Sequence, residues 1–316
     1  MARRTAWLVC LIALFASAAV AAGADRQVAI TIDDLPRGGD GGPGDLASVS
    51  AMTIKLLRPL REQRIPVIGF VNAGRSQLDA PGMRDILKLW LDAGADLGNH
   101  SYSHLDINSV ALEVYTDDIV RGEAAIRQAL ASRGKTLEFY RHPYLHTGAT
   151  PQIKQGLQAF LDQRHYRVAP VTLDNADYMF AAAYLQPELQ ARVRAEYVPY
   201  MESTVEFFER RSVEVFGRGI PQILLIHASA MNAELLPELL GMFSRRGYRF
   251  VSLSTALADE AYRSPEEYAG RGGFSWIHRW SRTKGMAAKA EPDPPQWVAQ
   301  AFAEPRSAPS QRVRKQ

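Results

Sequence analysis

The chain is almost without cysteine: Cys10 is the only one in 316 residues. It lies in a leader-like opening, so the rest of the chain can build neither a disulfide framework nor a thiolate metal site. Any metal must then sit on His, Asp or Glu. The opening also lacks an apolar run long enough to anchor it. The stretch from Ala6 to Val20 is shorter than the roughly 20 residues that cross a bilayer. It follows Arg3-Arg4 and precedes Ala21-Ala22-Gly23-Ala24, the basic, apolar and small-residue order of a secretory signal. We expect residues 1–24 to be a signal peptide, cut after Ala22 or Ala24. The mature protein is then periplasmic or secreted and has no stable membrane span. Trp7-Leu8-Val9 before Cys10 does not suit a lipoprotein site.

A surplus of one charge is missing as well. Lys and Arg number 37 against 34 Asp and Glu, and loss of Arg3 and Arg4 with the leader leaves 35 against 34. This balance excludes the concentrated basic surface of a nucleic-acid binder. No Gly-x-Ser-x-Gly elbow is present, so the serine-nucleophile hydrolase of that type is excluded too. Internal repeats are absent. With 47% apolar residues, the mature chain is sufficient for one large α/β core.

Short β-rich runs alternate with segments of helical spacing. Strands are expected near residues 27–32, 66–71, 95–98, 137–140, 167–173, 223–226 and 248–253. Helices are expected near 46–64, 81–93, 113–132, 151–163, 188–216 and 235–246. Such alternation implies parallel βαβ units. From about Lys284 the composition changes to Pro292, Pro294, Pro295, Pro305 and Pro309 with late basic residues, which reads as a disordered tail; Trp297 and Phe302 could make a short docking helix there, but nothing in the sequence demands it.

The chemistry-bearing residues fall at or just after expected strand ends, the rim on which barrel-like α/β folds assemble active sites. Asp33 and Asp34 close the first strand. Neighbours in an ideal strand point to opposite faces, so both reach one site only if the strand breaks. Leu35-Pro36 and the glycines beyond supply that break. His100 and His104 have metal-ligand spacing, and Gly98-Asn99 before them favours a tight turn over a helix interior. One carboxylate with two imidazoles leaves open positions on a divalent cation, as in a catalytic rather than structural site. The adjacent carboxylate is then free to take a proton from the attacking water. Arg141-His142-Pro143-Tyr144, Asp174 to Tyr178 and Leu225-Ile226-His227 are each weak alone and gain force jointly.

Their order resembles that of the polysaccharide deacetylases, carbohydrate esterase family 4. Thr31-Ile32-Asp33-Asp34, His100-Ser101-Tyr102-Ser103-His104, Arg141 to Tyr144, Asp174 to Tyr178 and Leu225-Ile226-His227 look like the family's five motifs, across residues 27 to about 260. Composition makes 281–316 a disordered tail; the resemblance implies a distorted (β/α) barrel as a single catalytic domain, expected over 25–280. It implies Asp33 as base and Asp34, His100 and His104 as ligands of one divalent metal. Zinc suits that donor set; cobalt, nickel, manganese and iron(II) also fit. Arg141 would orient Asp33, and the Tyr144 N–H would help stabilise an oxyanion. His227 would be the general acid tuned by Asp177, Leu225 would line the acetyl pocket, and Tyr178 would contact substrate.

Three departures stand out: Ile32 for Phe, Leu35-Pro36 where Gly is usual, and Tyr178 for Trp. The implied activity is removal of N-acetyl or O-acetyl groups from an envelope or extracellular polysaccharide, an acetylated glycan. The alternatives are a deformylase or amidase on a lipid-linked or non-carbohydrate amide, and a catalytically silent carbohydrate-binding relative. His142 and His146 are expected to be exposed loop residues outside the ligand set. Ser275 to Trp280 is expected to pin the end of the chain onto the domain.

Overall fold

The structure, a computed structural model, describes residues 26–304. The expected signal peptide and residues 305–316 lie outside them. Strand β1 (Arg26–Leu35) is buried from Val28 to Leu35, as a strand covered on both faces must be. Then come α1 (Leu46–Glu62), β2 (Val67–Val71), α2 (Ala80–Asp92), β3 (Asp96–Asn99), α3 (Leu112–Ala131), β4 (Phe139–Tyr140), α4 (Pro151–Gln163) and β5 (Arg167–Val168). The second half holds α5 (Asp177–Tyr184), α6 (Gln190–Phe216), β6 (Gln222–His227), α7 (Ala230–Arg245), β7 (Tyr248–Val251), α8 (Leu253–Ala256), α9 (Trp276–Thr283) and α10 (Gln296–Ala303).

All strand pairings are parallel, in the order β5-β4-β3-β2-β1-β6. One edge of β1 carries β6 along Val28–Asp33; the other carries β7 at Arg26–Ala29 and then β2 from Ile30 onward. Beyond β5 the chain returns to β6 through a Leu173–Leu224 bridge, with the Thr172 N–H donating to the Ile223 carbonyl. That contact curls the sheet into the distorted barrel expected of a single α/β domain. Each expected strand and helix is present with ends shifted by a few residues, except that the strand expected over 167–173 is reduced to β5, its far end making only the Leu173–Leu224 bridge.

The tail is corrected. α9 buries Trp276, Ile277, Arg279 and Trp280, and α10 buries Val298 and Ala301 against the domain. Trp297, Val298, Ala301 and Phe302 recur at helical spacing, so one face of this segment is apolar despite its proline-rich approach. Trp297 also donates its indole N–H to Glu196 on α6, at 2.8 Å. Beyond residue 280 the chain therefore returns to the domain, where α10 docks through Val298 and Ala301.

Candidate active site

Asp33 and Asp34 reach the same cleft because β1 is irregular there. Its register against β2 shifts between Ile32 and Leu35, and Asp34 takes a left-handed φ of 63°. The break thus falls on Asp34 itself, one residue earlier than Leu35-Pro36. Left-handed backbone is costly for a residue with a Cβ and is tolerated least badly by Asp and Asn.

The two histidines sit in a loop after β3, not on a helix. Ser101 (φ 65°) and His104 (φ 56°) turn the chain back on itself, and the Ser101 hydroxyl accepts the His104 N–H at 3.0 Å. Asn99 accepts the Ser101 N–H, Asp118 on α3 accepts the N–H groups of Tyr102 and Ser103, and Asn72 donates to the His100 carbonyl. The Asn99 and Ser101 bonds are local and bear out the tight turn expected from Gly98-Asn99, whereas Asp118 and Asn72 act through tertiary contact and left no mark in the sequence.

His100 Nε2 lies 3.6 Å and His104 Nε2 3.5 Å from the same Asp34 oxygen, Oδ1. The three ligand atoms fall within 4.8 Å of one another. His100 Nδ1 lies 2.8 Å from the Arg141 carbonyl; a carbonyl only accepts, so Nδ1 carries the proton and Nε2 presents a lone pair to Asp34. Burial, then the neighbouring His104, holds His100 well below its ordinary pKa. Burial likewise lowers His104, against the pull of Asp34. Burial would raise the Asp34 carboxyl, but the imidazoles and Arg75 outweigh it and keep it low. Asp34 Oδ1 is buried without a hydrogen-bond donor. Two neutral imidazoles and a carboxylate converging on an unsatisfied buried oxygen are the donor set a divalent cation requires.

Asp33 lies beside the triad, its Oδ2 3.7 Å from His100 Nε2 and 3.7 Å from Arg141 Nη1. Burial lifts its pKa to about 6, against the lowering pull of Arg141 and His227. Arg141 is fully buried over the Phe70 ring, and its short hydrogen bond goes to the Thr31 hydroxyl at 2.8 Å. It therefore faces Asp33 by charge while anchored through Thr31, which opens the first motif but had no role assigned from the sequence. Arg75, also missed, reaches Asp34 Oδ2 at 3.4 Å. Its signal was available: it follows the C-terminal end of β2, as the other site residues follow their strands.

On the opposite side His227 closes β6. Its Nδ1 is 2.7 Å from Asp177 Oδ1, while Asp177 Oδ2 accepts the His227 backbone N–H and the Asn232 amide, both at 2.8 Å. Burial works against charge on this ring, yet Asp177, with Asp34 and Asp33 behind it, outweighs burial and raises the pKa to about 10. Leu225, Tyr178, Tyr144 and the first motif's aspartates line one cleft of about 710 Å³. Tyr144 (φ 55°) sets its ring against His104 at 4.4 Å. The turn that carries it is held from beneath by buried Arg279, which donates to the Leu145 carbonyl and the Thr147 hydroxyl. Gly273 packs against the same turn so closely that a Cβ would fall 1.7 Å from the Tyr144 carbonyl oxygen.

Two expectations about flanking histidines need revision. His142 is buried, edge-on to Tyr140 and stacked with Trp276; burial pushes its pKa down to about 3. His146 is held by Asp106 at 2.7 Å and lines the cleft. Neither belongs to the triad. Ser275–Trp280 is interior and pins the chain end, as expected.

A family profile described as polysaccharide deacetylase matches residues 21–158. The chain carries a polysaccharide deacetylase domain. The profile match spans Asp33, Asp34, His100, His104 and Arg141 and stops before Asp177 and His227, so that pair joins the candidate site on the geometry above alone. A sequence search of curated proteins returns no significant match. The chitin deacetylase of the fungus Colletotrichum lindemuthianum is similar in structure, with TM-score 0.51, 22% identity, and coverage of 78% of this chain and 92% of that one. The polysaccharide deacetylase Bc1974 of Bacillus cereus gives 0.50, 20%, 72% and 91%. BA3943 of Bacillus anthracis, a family 4 pseudoenzyme, gives 0.51, 16%, 75% and 66%. At these identities the likeness concerns the fold of the deacetylase domain.

Proposed function

We propose that this protein is a metal-dependent hydrolase that removes N-acetyl or O-acetyl groups from an envelope or extracellular polysaccharide, and that it acts after export. The observation that supports this reading is the meeting, in one cleft, of the Asp34–His100–His104 triad with Asp33 and the His227–Asp177 pair. Asp34, His100 and His104 would hold the divalent cation, zinc for choice, which when bound would supply Lewis acidity toward the acyl carbonyl and the attacking water.

The side chains divide the proton work. Asp33, poised near pH 6 by burial, takes the proton of the water, since a base whose pKa lies near the working pH is the efficient one. Arg141 keeps it ionised and oriented through the anchor on Thr31. With Nδ1–H held by Asp177, His227 presents its Nε2 proton to the departing amine or alcohol. The N–H of Tyr144 stabilises the developing oxyanion, Leu225 closes around the acetyl methyl, and Tyr178 meets the sugar. Silent relatives exist within the fold, as BA3943 shows for itself; here both proton-transfer residues, Asp33 and His227, are present and face the cleft.

The test is acetate release by the purified, zinc-loaded protein from N-acetylglucosamine oligomers, O-acetylated glycans, peptidoglycan and simple formamides. Turnover of formamides alone would make it an amidase of small amides. Metal binding without turnover of any substrate would make it a silent relative.

A further inference from the structure

The cleft has a wall that the family motifs do not supply. Glu291, Pro292, Asp293, Pro294 and Phe302, all beyond α9, line the same space as Asp34, His100 and His227. The chain reaches there because α10 docks on α5, the helix that opens with Asp177 and Tyr178. Trp297 packs edge-on to Phe180, lies under the Arg192 guanidinium and hydrogen-bonds Glu196. Three contacts to α5 and α6 hold the position of α10 firmly.

Phe302 is the residue this docking delivers to the site. Its ring meets Tyr178 edge to face at 5.3 Å, and Tyr178 in turn meets His227 at 6.3 Å. Both rings remain open to solvent, Phe302 at 37% and Tyr178 at 42%; Tyr144 on the other rim is at 53%. Among the described residues, the other large hydrophobics with comparable exposure are aliphatic and lie outside this cleft. Large apolar rings are normally hidden, and exposed aromatics gathered at one site mark a binding surface. An aromatic face paired with nearby polar groups suits the C–H-lined face of a pyranose ring.

We infer that Phe302, presented by the C-terminal helix, is a substrate-contacting specificity residue: with Tyr178 it forms an aromatic lip on which a sugar ring of the glycan stacks beside the reacting acetyl group. This deepens the deacetylase reading and rests on it. It also assigns a function to the tail, which completes the cleft on the side where the family's Trp is Tyr178. The side chain acts on binding rather than on proton transfer, so its loss changes KM and leaves kcat nearly untouched.

The experiment uses the full-length protein with Phe302→Ala, Phe302→Leu and Phe302→Trp. Binding of an N-acetylglucosamine tetramer is measured by calorimetry on metal-free protein, and acetate release is measured on zinc-loaded protein. Ala and Leu should each weaken binding and raise KM about three- to tenfold, the worth of one aromatic contact. Trp should restore wild-type values. Thermal midpoints should separate packing from recognition, since Leu keeps the apolar contact with Tyr178 and lacks only the π face. If Leu binds as tightly as Phe, the ring serves only to dock α10 and the inference is overturned. If wild-type protein binds the tetramer and the variants change nothing, it is overturned equally. If wild-type protein neither binds nor hydrolyses the tetramer, the deacetylase reading fails first and this inference falls with it.

Discussion

Replacing Asp177 by Asn tests the proton donor. In the folded protein His227 is raised from 6.5 to about 10, burial being outweighed by Asp177 and the aspartates behind it. At about 1.4 kcal/mol per pKa unit, the net preference for the charged ring, with burial already overcome, is about 5 kcal/mol. Asn keeps the shape and removes the charge. Burial is then opposed only by Asp34 and Asp33, so the imidazole should titrate well below its wild-type value. Histidine-labelled, metal-free protein followed by NMR gives the pKa directly, with the His227 resonance assigned through His227→Gln. Folding stability should follow the same linkage: because the folded pKa lies above the unfolded one, the stabilisation is full below pH 6.5 and is lost as pH rises toward 10. In the rate profile, Asp177→Asn should move the alkaline limb to lower pH. A wild-type His227 that titrates near 6.5, or an Asp177→Asn variant whose limb and imidazole do not move, would refute the coupling.

Asp33→Asn should keep bound metal and lose about 10²–10⁴-fold in turnover, read by metal analysis beside acetate release; matching losses of metal and activity would make Asp33 a ligand. Arg141→Met leaves Asp33 buried without its cation and should cost about 3–5 kcal/mol in denaturant unfolding, whereas an unchanged midpoint would mean that the pair is not coupled. Arg279→Met should loosen the turn that carries Tyr144, lowering kcat while the metal content of the folded fraction stays intact. Wild-type kcat in that variant would contradict a positioning role.

The metal triad and its neighbours were legible in the sequence because each motif ends an apolar strand, and strand ends in a parallel barrel share one rim. The pairing of His227 with Asp177 came from the family resemblance, and the fold accounts for it: β6 and the start of α5 both open onto that rim. What escaped depended on contacts that leave no local pattern. Thr31 under Arg141, Arg75 on Asp34, and Asp106 on His146 are joined across 110, 41 and 40 residues. His142 was misplaced because its loop setting suggested exposure, while Tyr140 and Trp276 close over it from separate segments. The C-terminal helix was hidden by composition. Pro292, Pro294 and Pro295 precede α10 rather than interrupt it, and the apolar stripe of Trp297, Val298, Ala301 and Phe302 outweighs them once α5 offers a face to cover.

The central claim is that Asp34, His100 and His104 hold one catalytic cation. The direct measurement is zinc stoichiometry of the purified protein, wild type and Asp34→Ala, with acetate release from an N-acetylglucosamine tetramer assayed on the same samples. The account predicts one equivalent in the wild type with activity that a chelator removes and zinc restores, and loss of both metal and activity in Asp34→Ala. Full zinc occupancy in Asp34→Ala, or acetate release from chelator-treated wild type, would contradict it.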